Sequence, residues 1–172
     1  MNKARYKLDL VGVREVRWDK GGTVEQGLIF STDKEIKSST GNSFFFVCYF
    51  VHHRTVSVVK TVDFVSDRMS YIVLRGCWCN IIVWNVHAPS EEKSDDSKDN
   101  FREELEQILI IFPSKHTKIL LGDFNAKLGG EDIFKSTIGN DSLHQDSNDN
   151  GVRIVNLATS NNQVVKSTMF LH

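Results

Sequence analysis

Proline occurs only twice in this chain of 172 residues and cysteine three times, and opposite charges nearly cancel, leaving a formal charge of −1. Each scarcity excludes something. Three cysteines are an odd number, and Cys77 and Cys79 stand one residue apart in a strand-like stretch, which is not the framework of a disulfide-stapled secreted domain. No second Cys/His pair follows at zinc spacing, so the Cys-x-Cys reads as free thiols of a reducing compartment. A near-neutral chain has no overall basic field, so any hold on nucleic acid must come from a local patch. No apolar run reaches the length of a membrane span. "NKARYKLDLVGV", after Met1, lacks the apolar segment of a secretory signal. These absences predict an intracellular chain, nuclear or cytoplasmic, neither secreted nor membrane-bound. There is no internal repeat and no low-complexity tract. What remains is ordinary globular composition, 40% hydrophobic and 25% charged, at a length sufficient for one domain with a real core.

Along the chain, "KLDLVGV" (7–13), "QGLIF" (26–30) and the aromatic "SFFFVCYFV" (43–51) read as strands, with a polar linker over 31–42. "VSVVKTVDFV" (56–65) and "MSYIVLRG" (69–76) alternate apolar and polar residues, as half-buried strands do. "CNIIVWNV" (79–86) is more continuously apolar and stops at His87-Ala88-Pro89, where proline ends the ladder. The period then changes. "SDDSKDNFREELEQILIIF" (94–112) sets Phe101, Leu105, Ile108 and Phe112 on one helical face, with acidic residues at its start and Pro113 at its close. "TKILL" (117–121) returns to a strand, with Ile119, Leu120 and Leu121 suggesting burial on both faces. Residues 126–150 read as a long surface loop. "GVRIVNLATSNN" (151–162) reads as a helix with Val152, Val155 and Leu157 or Ala158 inward, and "QVVKSTMF" (163–170) as a last strand. Strands first, then strand–helix–strand–helix–strand, predict an α/β or α+β layered sandwich of mixed sheets with helices outside.

Three places share one property: an apolar strand runs out and metal-capable side chains follow. They are Glu15 after "LDLVGV", Asn85 and His87 after "NIIVW", and Asp123 with Asn125 after "KILLG". Strands aim short side chains rigidly beyond their ends. Glu, Asp and Asn are hard oxygen donors suited to Mg²⁺ or Mn²⁺, which take few protein ligands and keep several waters. Each piece also has a plainer reading. Asp-x-Asn after glycine is a common turn. Glu15 sits among Arg14, Arg17, Asp19 and Lys20, as a solvated charged loop would. His87 before Ala-Pro fits a hydrogen-bonded strand-end histidine, and His52-His53 point to opposite faces of a strand.

"LVGVREVRW", "IIVWNVHAP" and "ILLGDFNAKLG", in that order, resemble the endonuclease/exonuclease/phosphatase superfamily. Within it they are most similar to the branch of craniofacial development protein 2-like proteins and LINE-type retrotransposon endonucleases. "DRMSYIVLRG" and "NDNGVRIVNLATSNN" resemble that branch too, so the likeness spans nearly the whole chain as one domain, 1–172. The resemblance implies a four-layer sandwich of two mixed sheets flanked by helices. It also implies Mg²⁺-dependent phosphodiester hydrolysis. Glu15 would bind Mg²⁺, Asp123 would orient and deprotonate the attacking water, and Asn125 would hydrogen-bond the scissile phosphate. His87 falls where many members carry a phosphate-contacting Tyr. Asn85, Arg68 and Arg17 are weaker substrate-binding candidates, and DNA is the implied partner.

The chain departs from that pattern in three ways. The family's first Asn belongs on a strand before Glu15, which only fourteen residues precede. The family's final Asp-His pair has no counterpart, since His172 lacks a preceding acid. Arg14 stands where Gln is usual. These departures predict an incomplete sandwich and impaired catalysis. Two alternatives stay open: a non-catalytic binding module or remnant of the same fold, and a phosphoesterase acting on small molecules or lipids. For DNA, the cations Arg14, Arg17, Lys20, Arg68 and Arg75 would have to cluster near the site.

Overall fold

The computed structural model describes residues 9–14, 22–24, 27–31, 47–130, 135–138 and 144–166. Within them the α+β architecture expected from the sequence is present. β1 (Leu10–Arg14), β2 (Gly22–Val24), β3 (Gly27–Ser31) and β4 (Val47–His52) form one sheet in the order β1-β4-β3-β2. All its pairings are antiparallel, with Gly12 opposite Tyr49, so this sheet is not mixed. β5 (Val59–Phe64), β6 (Met69–Leu74), β7 (Ile81–His87) and β8 (Thr117–Asp123) form the second in sequential order. Here β5, β6 and β7 are antiparallel neighbours. β8 runs alongside β7 in the same direction, since Thr117 N–H bonds Asn80 O and Ala88 N–H bonds Asp123 O. Parallel neighbours need a long crossover, and the helix α2 (Asp95–Ile111) lies in that connection.

The chain divides into two compact units. One holds Met1–Val86 with Ser114–Gly122, the other His87–Pro113 with Asp123–His172. In the first unit, both sheets share one core. Tyr49 and Val51 from β4 meet Ile72 from β6 and Val83 from β7, all buried. Ile82, Trp84 and Val86 are buried as well, as the continuous apolar run of β7 anticipates for a central strand. Each such side chain stabilises the fold by about 1.5–3 kcal/mol. Two polar groups enter this core together, Ser70 Oγ donating to Tyr49 Oη at 3.1 Å. A one-turn helix, α1 (His53–Val56), separates β4 from β5, so the strand predicted from residue 56 begins only at Val59. β8 alternates rather than being covered on both faces. It is an edge strand, and Ile119 and Leu121 are 39% and 44% exposed.

The second unit is built on α2, α3 (Lys135–Ile138) and α4 (Asp149–Ser160). α2 buries Phe101, Leu105, Ile108 and Leu109. Phe112, expected on that face, has left the helix (φ −99°, ψ 134°), because the residue before Pro113 is pushed out of the helical region. α4 starts two residues before the predicted point. It buries Val155, Leu157 and Ala158 but leaves Val152 outside, its first turn turning Asn150 and Gly151 inward instead. The region read as one long loop contains α3 and a bridge from Gly129 to His144, and Leu128, Ile138 and Val155 share a small core there. Residues 163–166 form no strand, and the remainder of the expected last strand lies outside the described residues. No helix among the described residues is long and apolar enough to cross a membrane.

Candidate active site

Two apolar strands, β7 and β8, release their polar residues side by side. Ala88 N–H donates to Asp123 O at 2.9 Å, and Asn125 Nδ2 donates to Ala88 O at 2.8 Å. His87, Asp123 and Asn125, 36 to 38 residues apart in sequence across the helix, are thereby held in adjacent segments of the second unit. Asp123 is exposed, and His87 and Asn125 are half-buried. Asp123 Oδ1 accepts the Asn125 backbone N–H at 2.9 Å. This is the turn that the plainer reading of Asp-x-Asn foresaw, and the turn and the chemistry are compatible. One carboxylate oxygen shapes the loop while the side chain stays at the surface.

Asn125 is one of two non-glycine residues with positive φ among those described, at 48°. Asn tolerates the left-handed region better than most residues, and its neighbours secure it there. Its carbonyl accepts from Asn148 Nδ2 (3.1 Å) and Asn150 Nδ2 (3.3 Å). Asn150, 4% exposed, also donates to Pro89 O at 3.0 Å, and so ties the segments after β7 and β8 to the first turn of α4. Asn148 is the N-cap of α4. Its Oδ1 accepts from Gly151 N at 2.8 Å and from Lys127 N at 2.9 Å. Gly151 permits this docking, because a Cβ there would lie 2.1 Å from Lys127 O.

Behind the loops lies a charge network. Lys98, 6% exposed, reaches Asp149 at 3.2 Å and Glu91 at 3.7 Å, and Arg153 bonds Asp149 at 2.8 Å and also Asp99. The Arg153 hydrogen bond, helped by Lys98 and opposed by burial, holds the Asp149 carboxyl below the ordinary carboxylate range. Glu91 also accepts from Asn148 Nδ2 at 3.0 Å, so the network reaches the residue that holds Asn125. A hollow of about 310 Å³, counting open solvent, lies between α2 and α4. It is lined by Phe101, Leu105, Phe124, Asn150 and Leu157 among others, and includes none of His87, Asp123 and Asn125. The candidate residues stand at the strand ends, not in this hollow.

The other candidates separate. Glu15 and Arg17 lie outside the described residues. Asn85 is a core residue of the first unit, 3% exposed and packed against Gly12, where a Cβ would come within 2.8 Å of its Nδ2; it has no surface to offer a substrate. Arg68 is half-buried in the turn before β6, whose first residue Met69 pairs with Val86. Arg75 follows the far end of the same strand, so these two cations do not cluster. Among the described residues no three His, Cys, Asp or Glu side chains form a group able to hold a metal. Asp123 is a single hard donor of the kind Mg²⁺ takes, and such ions often use only one or two carboxylates. Asn148, Asn150, Lys98 and Arg153 were not singled out from the sequence. For Asn148 and Asn150 the signal is an Asn-Asp-Asn-Gly run before a periodic segment, which marks a helix start and nothing of its partner.

The described elements make an α+β chain in which the strand-end residues His87, Asp123 and Asn125 fall in one compact unit. Its sequence is similar to that of craniofacial development protein 2. It is 26% identical to the proteins of that name from Bos taurus and from Tragulus javanicus, over 168 residues and 96% of this chain in each case. The chain spans about a quarter of the length of those relatives, 27% and 28%. No family model matches it. Among solved structures, the endonuclease domain of TRAS1, a telomere-specific non-LTR retrotransposon, superposes on 77% of this chain and 51% of its own, with a TM-score of 0.47 and 12% identity.

Proposed function

We propose that this chain carries the central part of a Mg²⁺-dependent phosphodiesterase site of the DNA endonuclease type. The observation that carries the reading is the side-by-side release of His87, Asp123 and Asn125 from the parallel strands β7 and β8. Asp123, exposed and anchored through Oδ1, is the base that takes a proton from the attacking water. Asn125, fixed in a strained but well-supported conformation, donates a hydrogen bond to a phosphate oxygen without reorganising during the reaction. His87 donates to the same phosphate when its imidazole carries a proton on the facing nitrogen. Glu15 would hold Mg²⁺. That ion, or Mn²⁺, would neutralise phosphate charge and stabilise the leaving oxygen.

The test is nicking of supercoiled and abasic-site DNA by the chain with Mg²⁺. Asp123→Ala and Asn125→Ala should each lower the rate by about a hundred- to a thousandfold, and chelation of the metal should abolish it. Cleavage indifferent to Asp123→Ala overturns the reading. A chain that folds, takes up no Mg²⁺ and cuts nothing would be a binding module on the same scaffold, a role for which Asp123 serves as a turn residue alone.

A further inference from the structure

We propose that the end of the second sheet remote from His87, centred on the β6–β7 turn, binds single-stranded nucleic acid through base stacking on Trp78 and phosphate contacts from the basic side chains around it. Trp78 is 99% exposed. An aromatic ring of that size normally buries most of its area, and a fully solvated one at a turn tip has no part in holding the fold. The turn beneath it is nevertheless well braced. Asn80 N–H donates to His116 Nδ1 (3.3 Å), Thr117 N–H donates to Asn80 O (3.1 Å), and Arg75 N–H donates to Val58 O (2.7 Å). Three segments, 57–62, 74–81 and 114–118, are thus joined at one sheet end, all within the first unit.

Those segments contain Lys60, Arg75, Lys115, His116 and Lys118 and no acidic residue, in a chain where acids slightly outnumber bases. Lys60, Arg75 and Lys115 are exposed and have no ion-pair partner among the described residues. Lys60 is the extra residue of an irregularity between the pairs Val59–Leu74 and Thr61–Val73, a device that re-aims a side chain at a sheet end. Strands about 4.8 Å apart spread these cations along the sheet end. One solvated ring near the exposed Lys60, Arg75 and Lys115 on a rigid support is the composition of a single-strand platform, where every base offers a face to stack and each phosphate a charge to neutralise. An anionic membrane would require more apolar area than one ring set among Gly76, Cys77, Cys79 and Asn80. β7, seven residues long, puts about 20 Å of strand between this turn and His87. The proposal therefore stands independently of the cleavage reading.

The experiment titrates the full chain into fluorescein-labelled oligo(dT) in EDTA, where no cleavage contributes, and reads anisotropy against salt. Binding is expected, with a log–log salt slope of about −2 if three phosphates are neutralised. Trp78→Ala should weaken it about tenfold, and Arg75→Glu with Lys115→Glu should weaken it at least as much and flatten the slope. Asp123→Ala should bind as the parent does. Circular dichroism of each surface variant confirms that it is folded. Absence of binding, wild-type affinity in Trp78→Ala, or capture by phosphatidylserine vesicles and not by the oligonucleotide overturns the proposal. An affinity loss in Asp123→Ala matching that in Trp78→Ala also overturns it, and leaves the cleavage reading intact. Oligonucleotide binding that depends on Trp78, in a chain that never cuts DNA, removes the cleavage reading alone.

Discussion

Asn150 carries no reactive role, yet it fastens the residues that would. Its amide bonds the carbonyls of Asn125 and Pro89 from a buried position. Truncation leaves two carbonyls short of a donor, so Asn150→Ala should lower the unfolding free energy by about 1–3 kcal/mol. Asn150→Asp should lower it further, since an acceptor would then face two acceptors. Urea midpoints order the three proteins, and equal midpoints would show that the bonds are not made. Asp123 and Asn125 were legible as candidates in the sequence because Gly-Asp-x-Asn after an apolar strand is a local pattern. Asn150 was not. Its partner stands 25 residues away, and only the docking of one helix turn on one loop brings them together.

At the scale of the element, α2 and α4 are joined by ionic contacts as much as by apolar ones. Lys98, Asp95 and Asp99 on α2 face Asp149 and Arg153 on α4. Because Asp149 has a folded-state pKa below its unfolded value, its contribution to stability is complete above the unfolded carboxylate pKa. That contribution is lost as pH falls through the depressed folded value. Unfolding midpoints measured from neutral pH down to acid should therefore fall more steeply for the wild type than for Asp149→Asn, and parallel curves would remove the linkage. The effect is modest, since Asp149 is 43% exposed and solvent screens the pair. The helix itself was legible from its period and its closing proline. The helical period places its inner face except at Phe112, because Pro113 governs the backbone before it. Strand ends were read less well: α1 interrupts a stretch whose alternation continues through it.

For the molecule as a whole, the close approach of the β7 and β8 ends within the first unit matters most. The chain leaves the first unit after Val86 and again after Gly122, and these two points touch. At Gly122, φ is 140°, and an added Cβ would lie 1.9 Å from Val86 O, closer than any side chain can sit. Gly122→Ala must push β8 from β7 at the place where His87 and Asp123 emerge. A loss toward the upper end of about 1–3 kcal/mol is expected, measured as a shift in the thermal or urea transition. A variant with the parent midpoint would mean that the strands do not approach so closely.

Most of the strands and the two long helices, their apolar faces and the strand-end patterns at His87 and at Asp123-Phe124-Asn125 were already determined in the sequence. Each depends on residues within a few positions of one another, and backbone sterics and burial period act at that range. What only the tertiary structure decided was which groups meet: Asn85 turned into the sheet core, Arg68 and Arg75 at opposite ends of one strand, Asn150 under Asn125, Trp78 alone in solvent. Those outcomes depend on which surfaces dock across tens of residues, and a linear pattern carries no information about the depth or direction a side chain acquires when two elements close on each other.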